Sequence, residues 1–158
     1  MAKVLLGFMG SGKTTIARKL DPDFVDMDAL LVDRLGMPIA RFFEEKGEAA
    51  FRQVESEMLA DLLKTDQVIS TGGGVVVSPR NRALLKENPD NIYLKADFET
   101  LYQRISVDKD NQRPLFLKNS KEDLAAIFYE RQAWYEEVAS QIVDVSSLNP
   151  DEIIEELR

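Results

Sequence analysis

Short runs of apolar residues alternate along the chain with longer segments in which apolar residues recur at helical spacing. The short runs are rich in Val, Ile, Leu and Phe, and turn-forming residues bound most of them, which is typical of strands. They predict strands at Val4–Phe8, Phe24–Asp26, Gln67–Thr71, Asn91–Lys95 and Gln141–Val145.

The longer segments predict helices, and glycine or proline marks several of their ends. In residues 48–64, for example, the apolar positions fall on one side of a helix. The predicted helices are Lys13–Leu20, Asp28–Leu35, Pro38–Lys46, Glu48–Lys64, Pro79–Glu87, Phe98–Ile105, Lys121–Ser140 and Pro150–Leu157. Strands that alternate with helices imply βαβ units and a parallel sheet.

Residues 106–120 are polar and lack periodicity, so the sequence predicts a long loop there. A loop of about 15 residues inside a compact domain often serves as a lid over a ligand site. The chain shows no internal repeat, low-complexity tract or linker, and its 158 residues fit one domain. We therefore expect a single domain, residues 1–158, with a mobile lid at about 106–120.

The composition narrows the possible chemistry. The chain has no histidine and no cysteine, which excludes an imidazole base, metal ligands of those types and a disulfide framework. A formal net charge of −8 disfavours nonspecific binding to nucleic acid. No apolar run approaches the roughly 20 residues that cross a bilayer, and the N-terminus lacks a signal-peptide pattern. We expect a cytoplasmic protein without nucleic-acid or membrane partners.

A glycine-rich segment, GFMGSGKTT at Gly7–Thr15, follows the first predicted strand and opens the first predicted helix. It matches G-x-x-x-x-G-K-[ST], in which backbone N–H groups and the helix N-terminus surround a phosphate. Lys13 is expected to reach the β- and γ-phosphates and Thr14 to ligate Mg²⁺. The residues expected to bind ATP here are Gly10, Ser11, Gly12, Lys13, Thr14 and Thr15. The alternative is a glycine-rich turn without a ligand.

Asp26 and Asp28 end the second predicted strand, in the segment FVDMD. Residues two apart on a strand share a face, so both carboxylates are expected to point the same way. One could hold Mg²⁺ through water, and the other could orient a substrate hydroxyl toward the γ-phosphate. The alternative is a pair of exposed aspartates, with Asp28 capping the next helix.

Arg52 and Glu55 are three apart in GEAAFRQVE and can pair on one helix, as a binding group or as an ordinary surface salt bridge. Gly72–Gly74 follow a strand, at the end where α/β proteins bind ligands. Glycine there would let a ligand touch backbone N–H groups, and a flexible turn is the alternative.

Two further arginines are candidates for an anion site. Arg113 lies in the predicted lid, where it could swing over the phosphates and stabilise the transferring group, or remain a solvated loop residue. Arg131 lies in the helical segment YERQAWYEEVA, where a solvent-facing arginine is the alternative. Tyr135, one turn later, fits a core position.

These motifs, taken in order, resemble the shikimate kinase family. The family pattern is a phosphate loop, a D-x-D pair, a G-E-x-x-F-R-x-x-E helix, a T-G-G-G turn, a lid R-P-L and an R-x-x-x-Y helix. All six occur here in that order between residues 7 and 135. Val143–Pro150 also resembles the adenine-contacting loop of the family.

The resemblance implies a three-layer α/β/α P-loop NTPase fold. Its central sheet would have five parallel strands in the order found in nucleoside monophosphate kinases. It also implies transfer of the ATP γ-phosphate to the 3-hydroxyl of shikimate, in the pathway to chorismate and the aromatic amino acids. Mg²⁺ would be the cofactor, shikimate and ATP the ligands, and a monomer the expected state.

Roles carried over by position complete this expectation. The residues implied to bind shikimate are Asp28, Phe43, Arg52, Gly73, Gly74 and Arg131. The two arginines would hold its carboxylate, Asp28 would bind ring hydroxyls, and Glu55 would orient the arginines. Lys13, Asp28 and Arg113 are the implied catalytic residues. Thr14 and, through water, Asp26 are the implied metal ligands.

The sequence differs from the family pattern at two places, and two alternative functions were considered. From Lys13 to Asp26 the chain is about four residues shorter than the family pattern, so we expect the first helix to end early. The lid preface is about two residues longer, which places Ser106 where the family often has an adenine-contacting arginine; Arg104 is the nearest basic residue. The rivals are another small P-loop kinase, for gluconate or a nucleoside, and a nucleotide-dependent regulatory protein without catalysis.

Overall fold

A parallel sheet organises the fold. A computed structural model describes residues 2–107 and 119–157 of the chain. Within these ranges, five parallel strands form one sheet in the order β2-β3-β1-β4-β5. The strands are β1 (Lys3–Leu6), β2 (Val25–Asp26), β3 (Val68–Ser70), β4 (Asn91–Lys95) and β5 (Gln141–Asp144).

Helices connect these strands. Those of the first half are α1 (Lys13–Leu20), α2 (Met27–Leu35), α3 (Ile39–Lys46) and α4 (Glu48–Leu62). Those of the second half are α5 (Pro79–Glu87), α6 (Phe98–Val107), α7 (Lys121–Val138) and α8 (Pro150–Glu156). A short 3₁₀ helix, Val75–Val77, lies between β3 and α5. Over the described ranges, none of the helices combines the length and the apolar character that a bilayer crossing requires.

The helices cover both faces of the sheet. Successive side chains of a strand point to opposite faces, and Val4, Leu5 and Leu6 of the central strand β1 have no exposed surface. Large apolar side chains from the helices fill the two layers, such as Ile16 of α1 and Phe128 of α7. The predicted three-layer α/β/α fold and its strand order are therefore confirmed for the described residues.

The predicted elements are all present, with corrections at their ends. The first strand ends at Leu6, because Gly7 already begins the phosphate loop. The helix α6 continues through Ser106 and Val107, which were predicted to belong to the loop. The 3₁₀ helix was not predicted, since three consecutive valines have no helical periodicity. Residues 108–118 of the predicted lid, including Arg113, lie outside the described residues.

The first helix has the bounds that the sequence predicts, Lys13–Leu20. Its last residue is Leu20, and Asp21 adopts an extended backbone while its N–H donates to the carbonyl of Ala17 at 2.9 Å. The carboxylate of Asp21 then accepts from the N–H of Asp23 at 2.9 Å. This local turn leads the chain from α1 into β2.

Candidate active site

The candidate site lies where three parallel strands end side by side. The strand β1 lies between β3 and β4, and β2 pairs with β3. Because parallel strands end at one edge of the sheet, the segments after β1, β2 and β3 meet there. These segments are the phosphate loop, the start of α2 and the glycine turn Gly72–Gly74.

The phosphate loop has the backbone that its motif predicts. Gly10 and Gly12 have φ values of 83° and 90°, which side-chain-bearing residues rarely adopt. No side chain caps the N-terminus of α1, so its first N–H groups remain available to an anion. The ammonium of Lys13 folds back onto the loop, donating to the carbonyls of Gly7 and Phe8.

Ser11 provides an independent sign of a ligand. Its hydroxyl is buried and has no hydrogen-bond partner among the described residues. A buried polar atom without a partner is costly, so it is normally satisfied by a bound molecule or water. Ser11 therefore fits its predicted place among the ATP-binding residues.

A cleft of about 710 Å³ opens over this edge of the sheet. It is lined by the phosphate loop, the two predicted aspartates, the end of β3 with the glycine turn, and one arginine of α6. The lining residues are Met9, Gly10, Ser11, Gly12, Lys13, Thr14, Thr15, Asp26, Asp28, Ser70, Thr71, Gly72, Gly73 and Arg104. The cleft thus joins the predicted nucleotide residues to part of the predicted acceptor site.

The two aspartates lie in the cleft, but not on one strand face as predicted. The strand β2 stops at Asp26, whose carboxylate caps α2 by accepting from the N–H of Ala29 at 3.3 Å. Asp28 lies in the first turn of α2, so the alternative in which Asp28 is the cap is also wrong. Burial raises the pKa of Asp28, while the charge of Lys13 opposes this shift.

Two of the three glycines in the turn are packed closely against charged side chains. A Cβ atom on Gly72 would lie 2.6 Å from Oδ1 of Asp28, and one on Gly74 would lie 2.8 Å from Nη2 of Arg52. Neither glycine has a positive φ, so close packing, and not backbone strain, is the structural reason for them. The turn therefore sets the positions of a carboxylate and a guanidinium, in addition to exposing backbone.

Arg52 is enclosed by charged and aromatic partners. Its Nη1 donates to both oxygens of Glu55, at 2.9 and 3.2 Å, and Nε lies 3.4 Å from Glu48. The guanidinium also lies 5.2 Å from the ring centroid of Phe51 and 5.8 Å from that of Phe43. The side chain of Glu55 is 3% exposed, so the surface salt-bridge alternative is wrong. Burial raises the pKa of Glu55, and Arg52 opposes the shift.

Arg131 lies on a different helix, α7. It is partly buried, with its guanidinium 5.9 Å from the ring centroid of Phe8, so the solvent-facing alternative is wrong. Burial lowers its pKa, and the charge of Arg52 lowers it further. Arg131 has no ion pair with the described residues, and two neighbouring guanidinium groups favour an anionic ligand.

Tyr135 joins α7 to the glycine turn. Its side chain is fully buried, and its hydroxyl donates to the carbonyl of Gly73. Burial raises the pKa of this phenol, so it stays protonated and keeps donating. Tyr135, which was predicted as a core residue, therefore also fixes the glycine turn by a hydrogen bond.

Arg104 also lines the candidate cleft, although it was not among the predicted site residues. Its guanidinium lies 3.4 Å from the carbonyls of Gly10 and of Val145. It also lines a second cavity of about 210 Å³, next to the phosphate loop, together with Leu148, Pro150 and Ile153. Its place in the last turn of α6, just before the predicted lid, is the signal that could have found it.

Comparison with known proteins agrees with this geometry. A family model described as shikimate kinase matches residues 9–158. The shikimate kinase of Streptococcus gordonii is 52% identical over 100% of this chain and 99% of its own length. The shikimate kinase of Acinetobacter baumannii, solved in complex with shikimate, superposes with a TM-score of 0.88 at 29% identity, covering 99% of this chain and 89% of that one. The Bacteroides thetaiotaomicron enzyme gives 0.85 at 28% identity, covering 99% and 96%.

Proposed function

Because the chain belongs to the shikimate kinase family, we propose that it transfers the γ-phosphate of ATP to the 3-hydroxyl of shikimate, giving shikimate 3-phosphate and ADP. The main structural support for this proposal is that the phosphate loop and Asp28 line one cleft, with Arg52 and Arg131 beside it. A nucleotide and a small hydroxylated carboxylic acid fit the two halves of this arrangement.

The arginine side of the site selects the carboxylate of the acceptor. Arg52 and Arg131 come from different helices, and each is near enough to influence the other electrostatically. A carboxylate between them would relieve this repulsion and accept several charge-assisted hydrogen bonds. Backbone N–H groups of Gly73 and Gly74, and the ring of Phe43, complete the acceptor side.

The phosphate side performs the transfer. Asp28 accepts a hydrogen bond from the 3-hydroxyl of shikimate and holds its oxygen in line with the γ-phosphorus. The new O–P bond forms as the bond to the β–γ bridging oxygen breaks, and the hydroxyl proton passes to Asp28 or to solvent. Lys13 and the N-terminus of α1 stabilise the negative charge on the phosphoryl oxygens. Arg113, in the lid segment, is expected to add a further positive charge.

Magnesium fits the oxygen donors at the phosphate end. Within residues 2–107 and 119–157 no group of three acidic side chains could hold a metal alone. Mg²⁺ usually keeps water and phosphate oxygens as ligands and needs few protein groups. Thr14 through its hydroxyl, and Asp26 through water, would hold it beside the phosphates. When bound, the metal neutralises phosphate charge.

The adenine ring of ATP would bind in the second cavity, next to the phosphate loop. Arg104 presents a planar cation there, and Leu148, Pro150 and Ile153 supply apolar surface. A purine ring can stack on a guanidinium and pack against aliphatic groups. The cavity borders Ser11, Gly12 and Thr15, so an adenosine in it would lead directly into the phosphate loop.

A coupled assay of ADP release with different acceptors tests the proposal. We expect turnover with shikimate and Mg-ATP, and none with gluconate or nucleosides. Activity with gluconate but not with shikimate would favour the other small-kinase reading. Tight ATP binding without turnover of any acceptor would favour a regulatory protein. Sedimentation of the full chain tests the expected monomer.

A further inference from the structure

Asn81 is a fully buried amide on α5, outside the cleft and outside every motif of the sequence. Its Nδ2 donates to Oε1 of Glu55 at 2.9 Å and to the carbonyl of Val75 at 3.0 Å. Its Oδ1 accepts from the hydroxyl of Ser56. Both hydrogens of the amide and its oxygen are thus used by partners on two different elements.

The partner Glu55 controls the geometry of Arg52. The two are joined by a forked contact, and the side chain of Glu55 is almost fully enclosed. A buried carboxylate must remain ionised and correctly turned to hold a guanidinium. Its charged neighbours are Arg52 on α4 and Asp28 from α2. The element α5 contributes the uncharged amide of Asn81.

The second bond of Asn81 reaches the other side of Arg52. Val75 begins the 3₁₀ helix directly after the glycine turn, and Gly74 approaches the Arg52 guanidinium closely. One amide therefore ties together the carboxylate that holds this guanidinium and the backbone against which it rests.

We propose that Asn81 is a positioning residue for shikimate recognition, which acts through Glu55 and the 3₁₀ helix to fix the guanidinium of Arg52. The proposal deepens the function proposed above and rests on it. Without the amide, Glu55 would lose a donor that favours its ionised form, and Arg52 would gain freedom to turn away. The shikimate carboxylate would then meet a less organised partner, whereas the ATP side would be unaffected.

The variant Asn81→Leu tests this, since it keeps the number of side-chain heavy atoms and removes all three hydrogen bonds. We expect the KM for shikimate to rise about tenfold, with kcat and the KM for ATP within about twofold of the wild type. Ser56→Ala is the matched control, because it deletes a buried hydrogen bond to the same amide without touching Glu55. It should leave the shikimate KM within about twofold. Equal losses in the two variants would overturn the proposal.

The pH profile separates positioning from simple loss of packing. Burial raises the pKa of Glu55, and the bond from Asn81 lowers it, so removing the bond should raise that pKa further. Shikimate affinity should therefore fall at a higher pH in Asn81→Leu than in the wild type as the solution is acidified. A folded variant with an unmoved acid limb and an unchanged shikimate KM would refute the idea.

A measurement on the wild-type protein covers the case in which the variant does not fold. In isotope-labelled protein, the side-chain amide of Asn81 should titrate with the midpoint of the Glu55 carboxyl. An amide signal that ignores this titration would refute the proposed coupling without using shikimate. Absence of shikimate turnover by the wild type would instead refute the proposed function, so the two failures are distinguishable.

Discussion

Gly74→Ala should damage shikimate binding while leaving the fold intact. The backbone of Gly74 has φ −94° and ψ 7°, which alanine can adopt, so the change brings no positive-φ strain. The added Cβ would lie 2.8 Å from Nη2 and 3.2 Å from Nη1 of Arg52. Because real Cβ contacts essentially never fall under 3.0 Å and ordinary ones begin at 3.4 Å, the guanidinium must move away from the new methyl group.

This movement disturbs two sets of hydrogen bonds. The Nη1 atom donates to Glu55 at 2.9 Å, and the same guanidinium is proposed to receive the shikimate carboxylate. A hydrogen bond to a charged group contributes about 1.5–3 kcal/mol. At about 1.4 kcal/mol per factor of ten, the shikimate Kd should rise roughly tenfold to a hundredfold. The affinity for ATP should change by less than about twofold.

Calorimetric titration of Gly74→Ala with shikimate measures this loss. A double-mutant cycle with Arg52→Ala shows whether the methyl group acts through the guanidinium. In the Arg52→Ala background, the second change should add little. Undiminished affinity in Gly74→Ala would refute the steric reasoning, and full additivity with Arg52→Ala would show that Gly74 acts by another route.

Three further predictions follow from the same site. Arg52→Ala should weaken shikimate binding by about 2–5 kcal/mol and spare ATP binding, which calorimetry with each ligand checks. Asp28→Asn should lower kcat by about 10²–10⁴-fold, as measured by steady-state kinetics. Because desolvation raises the pKa of Asp28, the wild type should lose kcat/KM as the pH falls through that raised value. Tyr135→Phe leaves the Gly73 carbonyl without its donor; unfolding titrations should show a loss of about 1–3 kcal/mol, and an unchanged free energy of unfolding would speak against that bond.

Local sequence patterns were sufficient to predict those features whose contacts lie within one continuous segment of the chain. The phosphate loop is continuous in the chain, so its motif predicts the backbone that surrounds an anion. The order of strands and helices likewise follows from periodicity, because each element is long enough to show it. Arg52 and Glu55 share one helix turn, so their pairing could also be predicted from spacing.

Other features depend on contacts between distant segments. The reason for Gly72 is the carboxylate of Asp28, and the two are 44 positions apart, so no local pattern could show it. Asn81 reaches Glu55 across 26 positions and belongs to no motif. The strand face expected for Asp26 and Asp28 was wrong because β2 has only two residues, and helix α2 begins before the alternation can continue.

The closeness of Arg52 and Arg131 has a consequence for handling the protein. These cations come from α4 and α7, and the charge of Arg52 lowers the pKa of Arg131, so an anion bound at the proposed carboxylate site would relieve their repulsion. Such an anion would connect the two helices and stabilise the folded state. A ligand at 100 times its Kd stabilises the folded state by about 2.7 kcal/mol. Acetate, citrate or sulfate in a buffer would occupy the same place. The measured melting temperature and shikimate affinity should therefore depend on which anion the buffer contains and on its concentration.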